Sequence, residues 1–254
     1  MNIVVAVKMV PDLVEELEIA DSGQSLDTTW LRMILNELDD HAIEQAILLK
    51  ERGGGEVTVV APDVEGVDDV LFSAVAKGAD RLIKLTGDFE TGVNNHALAH
   101  AFASVIDGLN PDLVLTGVQA HNDLDGALGP LLAAVLGFPY VGYISGVTPT
   151  NGTCTARKEY PGGLIGEMAV QLPAVLGIQA AEEPPRYVAI SRIRQAMKAA
   201  AIEEQPITDL DLSGGATITR MFQPESGERA IMLEGSEDEI AAQLIDLFQD
   251  LSVL

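Results

Sequence analysis

Short apolar runs alternate with stretches of helical spacing from the first residues of this chain. Ile3 to Val7 is a continuous apolar run, the pattern of a strand buried on both faces, and Lys8 with Pro11-Asp12 ends it. Leu17 to Asp27, centred on Asp21-Ser22-Gly23, reads as a small hairpin laid over the domain. An acidic entry from Leu35 to Asp40 leads into Ile43, Ala46, Ile47 and Lys50 at helical spacing, stopped by Gly53-Gly54-Gly55. Val57 to Ala61 is the second core strand. Val67 to Lys77 is a helix with Val70, Leu71, Ala74 and Val75 inward and Gly78 as its C-cap, and Arg81 to Leu85 is the third strand. From Val93 onward, Leu98, Ala101, Phe102, Val105, Ile106 and Leu109 recur at helical intervals and form an amphipathic helix.

Asn110 to Pro139 is the stretch that organises the rest. Leu113 to Gly117 is a wholly apolar strand, Val118 to Asp125 a polar loop, and Gly126 to Gly137 a small-residue helix closed by Gly137 and Pro139. Such a loop leaves the carboxyl end of a buried strand and enters a helix whose first N–H groups have no partner, so they can point at an anion. Gly126 and Gly129 allow backbone to approach a phosphate without an intervening Cβ. On local pattern alone, an ordinary strand-to-helix turn fits the same residues.

This alternation predicts an α/β fold with a doubly wound, mostly parallel sheet, and a ligand crevice beyond the strands' carboxyl ends. Ala6 to Lys8, Val60 to Pro62 and the Gly117 to Gly129 loop fall at that crevice. After Pro139 the period changes to two, through Val141 to Val147, Thr153 to Tyr160 and Ile165 to Leu172, with turns at Pro149 to Gly152 and Gly162-Gly163. These segments predict an antiparallel extension of the sheet, followed by a buried strand at Pro173 to Ile178. Ala180 to Pro185 reads as an exposed loop, and Val188 to Ala201 as a basic helix with Arg192, Arg194 and Lys198.

Two domains are expected: a nucleotide-binding α/β domain at 1–201, and a C-terminal arm at 202–254 that begins as a linker rich in proline, glycine and aspartate. The arm would continue with a strand pair at Ile218 to Phe222 and Ala230 to Glu234. It would end in a helix over Asp238 to Leu251, with Ile240, Leu244, Ile245, Leu247, Phe248 and Leu251 apolar. So short a segment cannot build its own core and is expected to lie on another chain.

Composition narrows the function. The chain has 254 residues, 47% hydrophobic but only 4% aromatic, which suits parallel strands covered by helices. Its 39 acidic and 15 basic residues give a formal charge of -24, which repels nucleic acid and anionic membranes. Cys154 is the single cysteine, so there is no intramolecular disulfide and no cysteine cluster for zinc or iron–sulfur, and a reducing compartment fits. The start runs directly into Ile3 to Val7 without a basic leader, and no apolar run approaches membrane-spanning length, so a soluble cytoplasmic protein without membrane insertion is expected.

No catalytic constellation stands out. No serine occupies a G-x-S-x-G elbow, and Cys154 lies in a predicted strand rather than at a helix start. His96 and His100 have the spacing of a zinc pair but no third ligand in sequence, and read as a surface pair. No G-x-x-x-x-G-K-[ST] occurs, and Lys8-Met9-Val10-Pro11 stands where a dinucleotide fingerprint would follow the first strand. Binding through backbone and loop polar groups is favoured over hydrolysis. An adenylating or ATP-cleaving domain is the alternative from the enzyme class, although Lys8-Met9-Val10 is not the glycine-serine loop such a domain places there.

The residues resemble one family along essentially the whole chain. Val4-Val5-Ala6-Val7-Lys8, Asn36 to Asp40 with Glu44 and Ala46, Ala76 to Arg81, Asp112-Leu113-Val114 with Thr116 to Gln119, Leu136 to Pro139, Gly162-Gly163, Leu172 to Val175 and Pro185-Arg186-Tyr187 occur in order. Together they resemble the β subunit of electron transfer flavoprotein. The tail segments Arg220-Met221-Phe222 and Ile231 to Gly235 are similar to those of methylotroph-type members.

The resemblance implies a heterodimer in which an α subunit carries a redox FAD, while the β subunit binds AMP, supports the mobile FAD domain and performs no catalysis itself. Electrons would pass from a dehydrogenase to a quinone oxidoreductase or other acceptor. AMP would lie along Ala6, Val7, Lys8, Asn36, Val60, Ala61, Gly117, Gln119, Asn122 and Asp123, and at the helix start formed by Gly126, Ala127, Leu128 and Gly129. Many members have Asn-Gln-Thr where this chain has Gly126-Ala127-Leu128, which leaves backbone N–H groups for the phosphate. A dehydrogenase-docking loop would correspond to Ala181, Glu182, Glu183 and Pro184; Glu182 replaces an apolar anchor, which implies a different partner or docking by charge. Flavin-bifurcating relatives hold a second FAD in place of AMP and receive electrons from NADH, and Lys8 to Asp12 is similar to their start. Their polar loop before Gly129 is replaced here, and that reading is the alternative.

Overall fold

The computed structural model describes residues 1–89, 93–124, 126–208, 210–224, 230 and 232–253. Its main sheet grows from the apolar runs. Strand β1 (Asn2–Ala6) is followed by a short pair, β2 (Met9–Pro11) and β3 (Met33–Leu35), and by helix α1 (Glu37–Gly53). Then come β4 (Glu56–Pro62), α2 (Val67–Lys77), β5 (Arg81–Thr86), α3 (Asn95–Leu109), β6 (Leu113–Gly117) and α4 (Leu128–Leu136). The second half holds β7 (Tyr140–Thr150), β8 (Thr153–Tyr160), β9 (Leu164–Gln171), β10 (Ala174–Ile178), α5 (Ile190–Ala199), β11 (Ile202–Pro206) and α6 (Glu237–Asp250).

The sheet has nine strands in the order β11-β5-β4-β1-β6-β10-β7-β8-β9. Pairing is parallel from β11 through β7 and antiparallel from β7 through β9, so the predicted architecture is observed. Alternate residues of β1 feed two cores. Ile3 and Val5 pack with Ile43, Ile47 and Leu71 of α1 and α2 on one face. Val4 and Ala6 pack with Phe102, Ile106 and Leu132 of α3 and α4 on the other. Both faces are covered, which is why these strands read as unbroken apolar runs. The chain moves from β1 outward to β4 and β5, then returns on the opposite face to place β6 on the other side of β1. The switch point is therefore at the carboxyl ends of β1 and β6.

Several expectations need correction. Met9–Pro11 does not simply end the first strand but pairs antiparallel with Met33–Leu35, away from the main sheet. The Leu17 to Asp27 hairpin is reduced to one bridge between Ile19 and Leu26. The segment from Ile202, read as linker, is an edge strand in parallel register with β5, from Ile202 opposite Leu82 to Pro206 opposite Thr86. Ile207 and Leu210 continue onto the α3 and α4 core, and the chain divides into two compact units, Met1–Met221 and Phe222–Leu254. Among the described residues 218–222, 230 and 232–234 no strand forms; Ile231 of the expected pair lies outside the described residues, as does Asp125 of the central loop.

Within the second unit, α6 is started by a capping box: the Ser236 hydroxyl accepts the Glu239 N–H, and the Glu239 carboxylate accepts the Ser236 N–H. None of its residues is buried, and Ile245, Leu247, Phe248 and Leu251 are exposed. No described helix is long and apolar enough to cross a membrane.

Candidate functional site

One buried carboxylate ties the switch point together. Asp39, in the first turn of α1, is 3% exposed. Its Oδ2 accepts the Lys8 N–H at 2.9 Å and its Oδ1 accepts the Gly117 N–H at 2.6 Å, so a single side chain holds the second residue after β1 and the last residue of β6. The approach is close enough to require glycine: a Cβ on Gly117 would lie 2.6 Å from Asp39 Oδ1 and 2.8 Å from the Asp39 nitrogen. Burial pushes the Asp39 carboxyl up to about 6, against the two amide bonds and the Lys8 charge, which pull it down. Asn36 completes the fastening. Its N–H donates to the Lys8 carbonyl at 3.1 Å, and its Nδ2 donates to the Gln119 carbonyl at 3.0 Å.

The loop after β6 is pinned by a second buried group. Lys8 Nζ lies 2.7 Å from Asp123 Oδ1, with the two side chains 7% and 12% exposed. Such a pair is stable in a low dielectric only when further hydrogen bonds satisfy it. Those bonds are present: Asn95 Nδ2 donates to Asp123 Oδ1 at 2.7 Å, the Ala120 N–H donates to Asp123 Oδ2 at 2.7 Å, and Lys8 Nζ donates to Asn95 Oδ1 at 3.2 Å. Asn95 Nδ2 also donates to the Gly126 carbonyl at 2.6 Å. Asn94 caps α3 by accepting the Ala97 N–H at 2.8 Å, which sets Asn95 as the first helical residue, beside the loop.

Helix α4 then begins without a cap. Ala127 is its extended N-cap residue, no side chain caps it, and no acidic residue stands in its first turn. Gly126, with φ 110, turns the chain into it in a conformation that favours glycine. Among the described residues no side chain caps the first N–H groups of α4, and the positive end of the helix dipole lies behind them.

Most of the residues expected at the site converge. Ala6 pairs with Val60 in register, and the Val7 N–H donates to the Val60 carbonyl at 3.0 Å; these residues and Ala61 are buried at the strand ends. Lys8, Asn36, Gly117 and Asp123 join them through the contacts above, while Gln119, Asn122 and Gly126 are exposed on the loop. Leu128 and Gly129 are buried in the first turn of α4.

Ala181 to Pro184 lie elsewhere, against α1. The Ala181 N–H donates to His41 Nδ1 at 3.2 Å and the Glu182 N–H to Gln45 Oε1 at 3.1 Å. The Glu182 carboxylate turns inward: it accepts from Gln45 Nε2 and the Val147 N–H, each at 3.2 Å, and pairs with Arg52 at 2.5 Å. Burial pushes this carboxyl up, but Arg52, Val147 and Gln45 together hold it below the usual value.

Asp39 and Asn95 escaped the sequence reading as site residues. The only signals were an aspartate three residues after Asn36 and a doubled asparagine at a helix start, both of which read as ordinary caps.

Residues 26–210 match the family model described as electron transfer flavoprotein domain. The chain is 33% identical to the electron transfer flavoprotein subunit beta of Methylophilus methylotrophus, over 98% of each chain. This chain belongs to the electron transfer flavoprotein β-subunit family. It is also 34% identical to the subunit beta of Syntrophomonas wolfei, covering 84% of this chain and 85% of that one. Protein FixA of Azorhizobium caulinodans is 29% identical, over 96% of this chain and 92% of its own. Membership assigns the chain to electron transfer, as a β subunit.

Proposed function

We propose that this chain is the nucleotide-holding, non-catalytic subunit of a cytoplasmic electron transfer flavoprotein. It binds AMP at the switch point and pairs with an α subunit whose FAD supplies the redox chemistry between an electron-donating dehydrogenase and a quinone oxidoreductase or other acceptor. The observation that carries this reading is the uncapped start of α4, held over the strand ends by the Lys8, Asn95 and Asp123 contacts.

The residues fit a single phosphate. The Lys8 ammonium is engaged by Asp123, which leaves the backbone N–H groups of the α4 start to hold the anion. AMP is favoured over a second FAD because the polar loop that bifurcating relatives carry before Gly129 is replaced here. Gln119 and Asn122 supply exposed polar groups for the rest of the nucleotide. The exposed apolar side chains of α6 support the C-terminal arm lying on the α subunit.

The test is to co-express the chain with its α subunit, denature the purified complex, and identify released nucleotides by mass and absorbance. AMP and flavin in equal amounts are expected. Flavin alone, at twice that amount, would replace this reading with the bifurcating one, and a complex empty of nucleotide would overturn both.

A further inference from the structure

We propose that Thr116 is a phosphate-contacting residue: its hydroxyl donates to a phosphate oxygen of a nucleoside monophosphate seated at the start of α4. The inference rests on the function proposed above and deepens it, because it names the side chain that separates a nucleotide from a nucleoside.

The start of α4 is short of a donor. The N–H groups of a helix's first residues have no partner within the helix, and Leu128, Gly129 and Pro130 are the first three residues of α4. Proline has no N–H, so the third of these positions offers an anion nothing. The Lys8 ammonium does not make up the difference, since Asp123 and Asn95 engage it.

Thr116 lies beside that turn. Alternate residues of β6 face opposite sides of the sheet. Leu113 and Leu115 pack with the α1 core, Gly117 meets Asp39 of α1, and Val114 packs with the α3 and α4 core. Thr116 therefore shares the face of Val114, away from the Asp39 carboxylate. Its Oγ1 lies 2.7 Å from the position that a Cβ on Gly129 would take. The same Cβ would stand 2.9 Å from the Tyr140 ring, so glycine is what lets the first turn of α4 come down onto the hydroxyl. Burial pushes the Tyr140 phenol up to about 12, so this neighbour is neutral and does not repel an anion.

Thr116 is 1% exposed, and among the described residues its Oγ1 is a buried polar atom without a hydrogen-bond partner. An unpartnered buried hydroxyl costs free energy that valine, of nearly the same shape, would not. A hydroxyl retained at that cost, under an uncapped helix start that lacks one N–H, matches a phosphate oxygen as its acceptor.

The experiment titrates the nucleotide-depleted α/β complex with AMP and with adenosine by calorimetry. Thr116→Val is expected to weaken AMP binding by about tenfold or more and to leave adenosine binding unchanged, whereas Thr116→Ser, which keeps the hydroxyl, should stay within about threefold of wild type. Pro130→Ala restores an N–H at an exposed position, so adding it to Thr116→Val should recover part of the AMP affinity. Without ligand, Thr116→Val should unfold no earlier than wild type on heating, and Thr116→Ala carries the same comparison if the valine variant does not fold. Undiminished AMP affinity without the hydroxyl would overturn the proposal. So would a loss shared equally by AMP and adenosine, which marks a packing role, or a double variant no tighter than Thr116→Val alone. A wild-type complex that binds neither compound would instead overturn the function on which the inference rests.

Discussion

Asp39 and Gly117 are joined by a 2.6 Å hydrogen bond from the glycine N–H to Oδ1, across the point where the sheet changes direction. Because Asp39 belongs to α1 and Gly117 ends β6, this contact fixes a helix start to the strand that launches the loop before α4. A methyl group has no room there, since its neighbours include the Asp39 nitrogen and the Leu38 carbonyl carbon, both at 2.8 Å. Gly117→Ala should therefore destabilise the protein by about 1–3 kcal/mol. Urea unfolding of the purified chain would read it as a lower midpoint with unchanged slope, and an unaltered midpoint would contradict the packing.

The same carboxylate has a pH signature of known sign. Burial raises Asp39 in the folded protein to about 6 from 3.8, so between those values the folded state holds a proton that the unfolded state has released. Its contribution to stability is complete below pH 3.8 and is lost as pH rises through about 6. Unfolding free energies measured from pH 4 to 7 should show wild type losing roughly 2 kcal/mol relative to Asp39→Asn over this range. A constant difference between the two proteins would show that Asp39 does not titrate there.

Lys8 and Asp123 lie 115 residues apart in sequence and form a buried pair, 2.7 Å apart, that anchors the loop. Lys8→Met leaves the Asp123 carboxylate without its cation and should cost about 3–5 kcal/mol. If the loop presents α4 to a phosphate, AMP content of the α/β complex should fall as well. Lys8→Met with Asp123→Leu removes both charges and should recover much of the stability but not the AMP. Full AMP occupancy in either variant would separate this pair from the nucleotide site.

How far the sequence revealed this arrangement depended on what carried each signal. The inner strands were legible because β1, β4 and β6 are buried on both faces and consist of apolar runs. β11 was not, because Ile202-Glu203-Glu204-Gln205-Pro206 is an exposed edge strand whose charges face solvent and partners such as Arg81. The crevice was legible from strand order and glycine positions. Its fastenings were not, since Asp39 meets Gly117, and Asn95 meets Asp123, only after the sheet has formed, and no spacing rule links residues so far apart in the chain. Glu182 gave the opposite difficulty: its acidic, proline-rich surroundings read as open loop, whereas its side chain is held by α1 and β7.

Arg186 is a further structural clasp, made with α1. Its guanidinium reaches Glu44 at 2.8 Å and Glu51 at 2.6 Å, and its own N–H donates to Glu44 at 2.9 Å. The hydrogen bonds to Glu51 and Glu44 raise the arginine's pKa, so it stays charged. Glu44 is 2% exposed, and Arg186→Leu would leave its carboxylate buried without a cation. The expected loss is about 3 kcal/mol or more. A thermal midpoint within a degree of wild type would count against that role.

Glu182→Leu distinguishes a docking residue from a fold contact. The substitution places an apolar group where the resemblance to the family implies an anchor, yet it also removes the acceptor for Arg52, Gln45 and the Val147 N–H. Because these bonds outweigh burial and hold the Glu182 carboxyl below its usual value, the carboxylate's contribution is present above the unfolded pKa and is lost as pH falls through the folded one. At neutral pH the variant should therefore lose about 1–2 kcal/mol of stability. Its KM toward the electron-donating dehydrogenase should change little. Unchanged stability with a large KM effect would instead make Glu182 a docking residue.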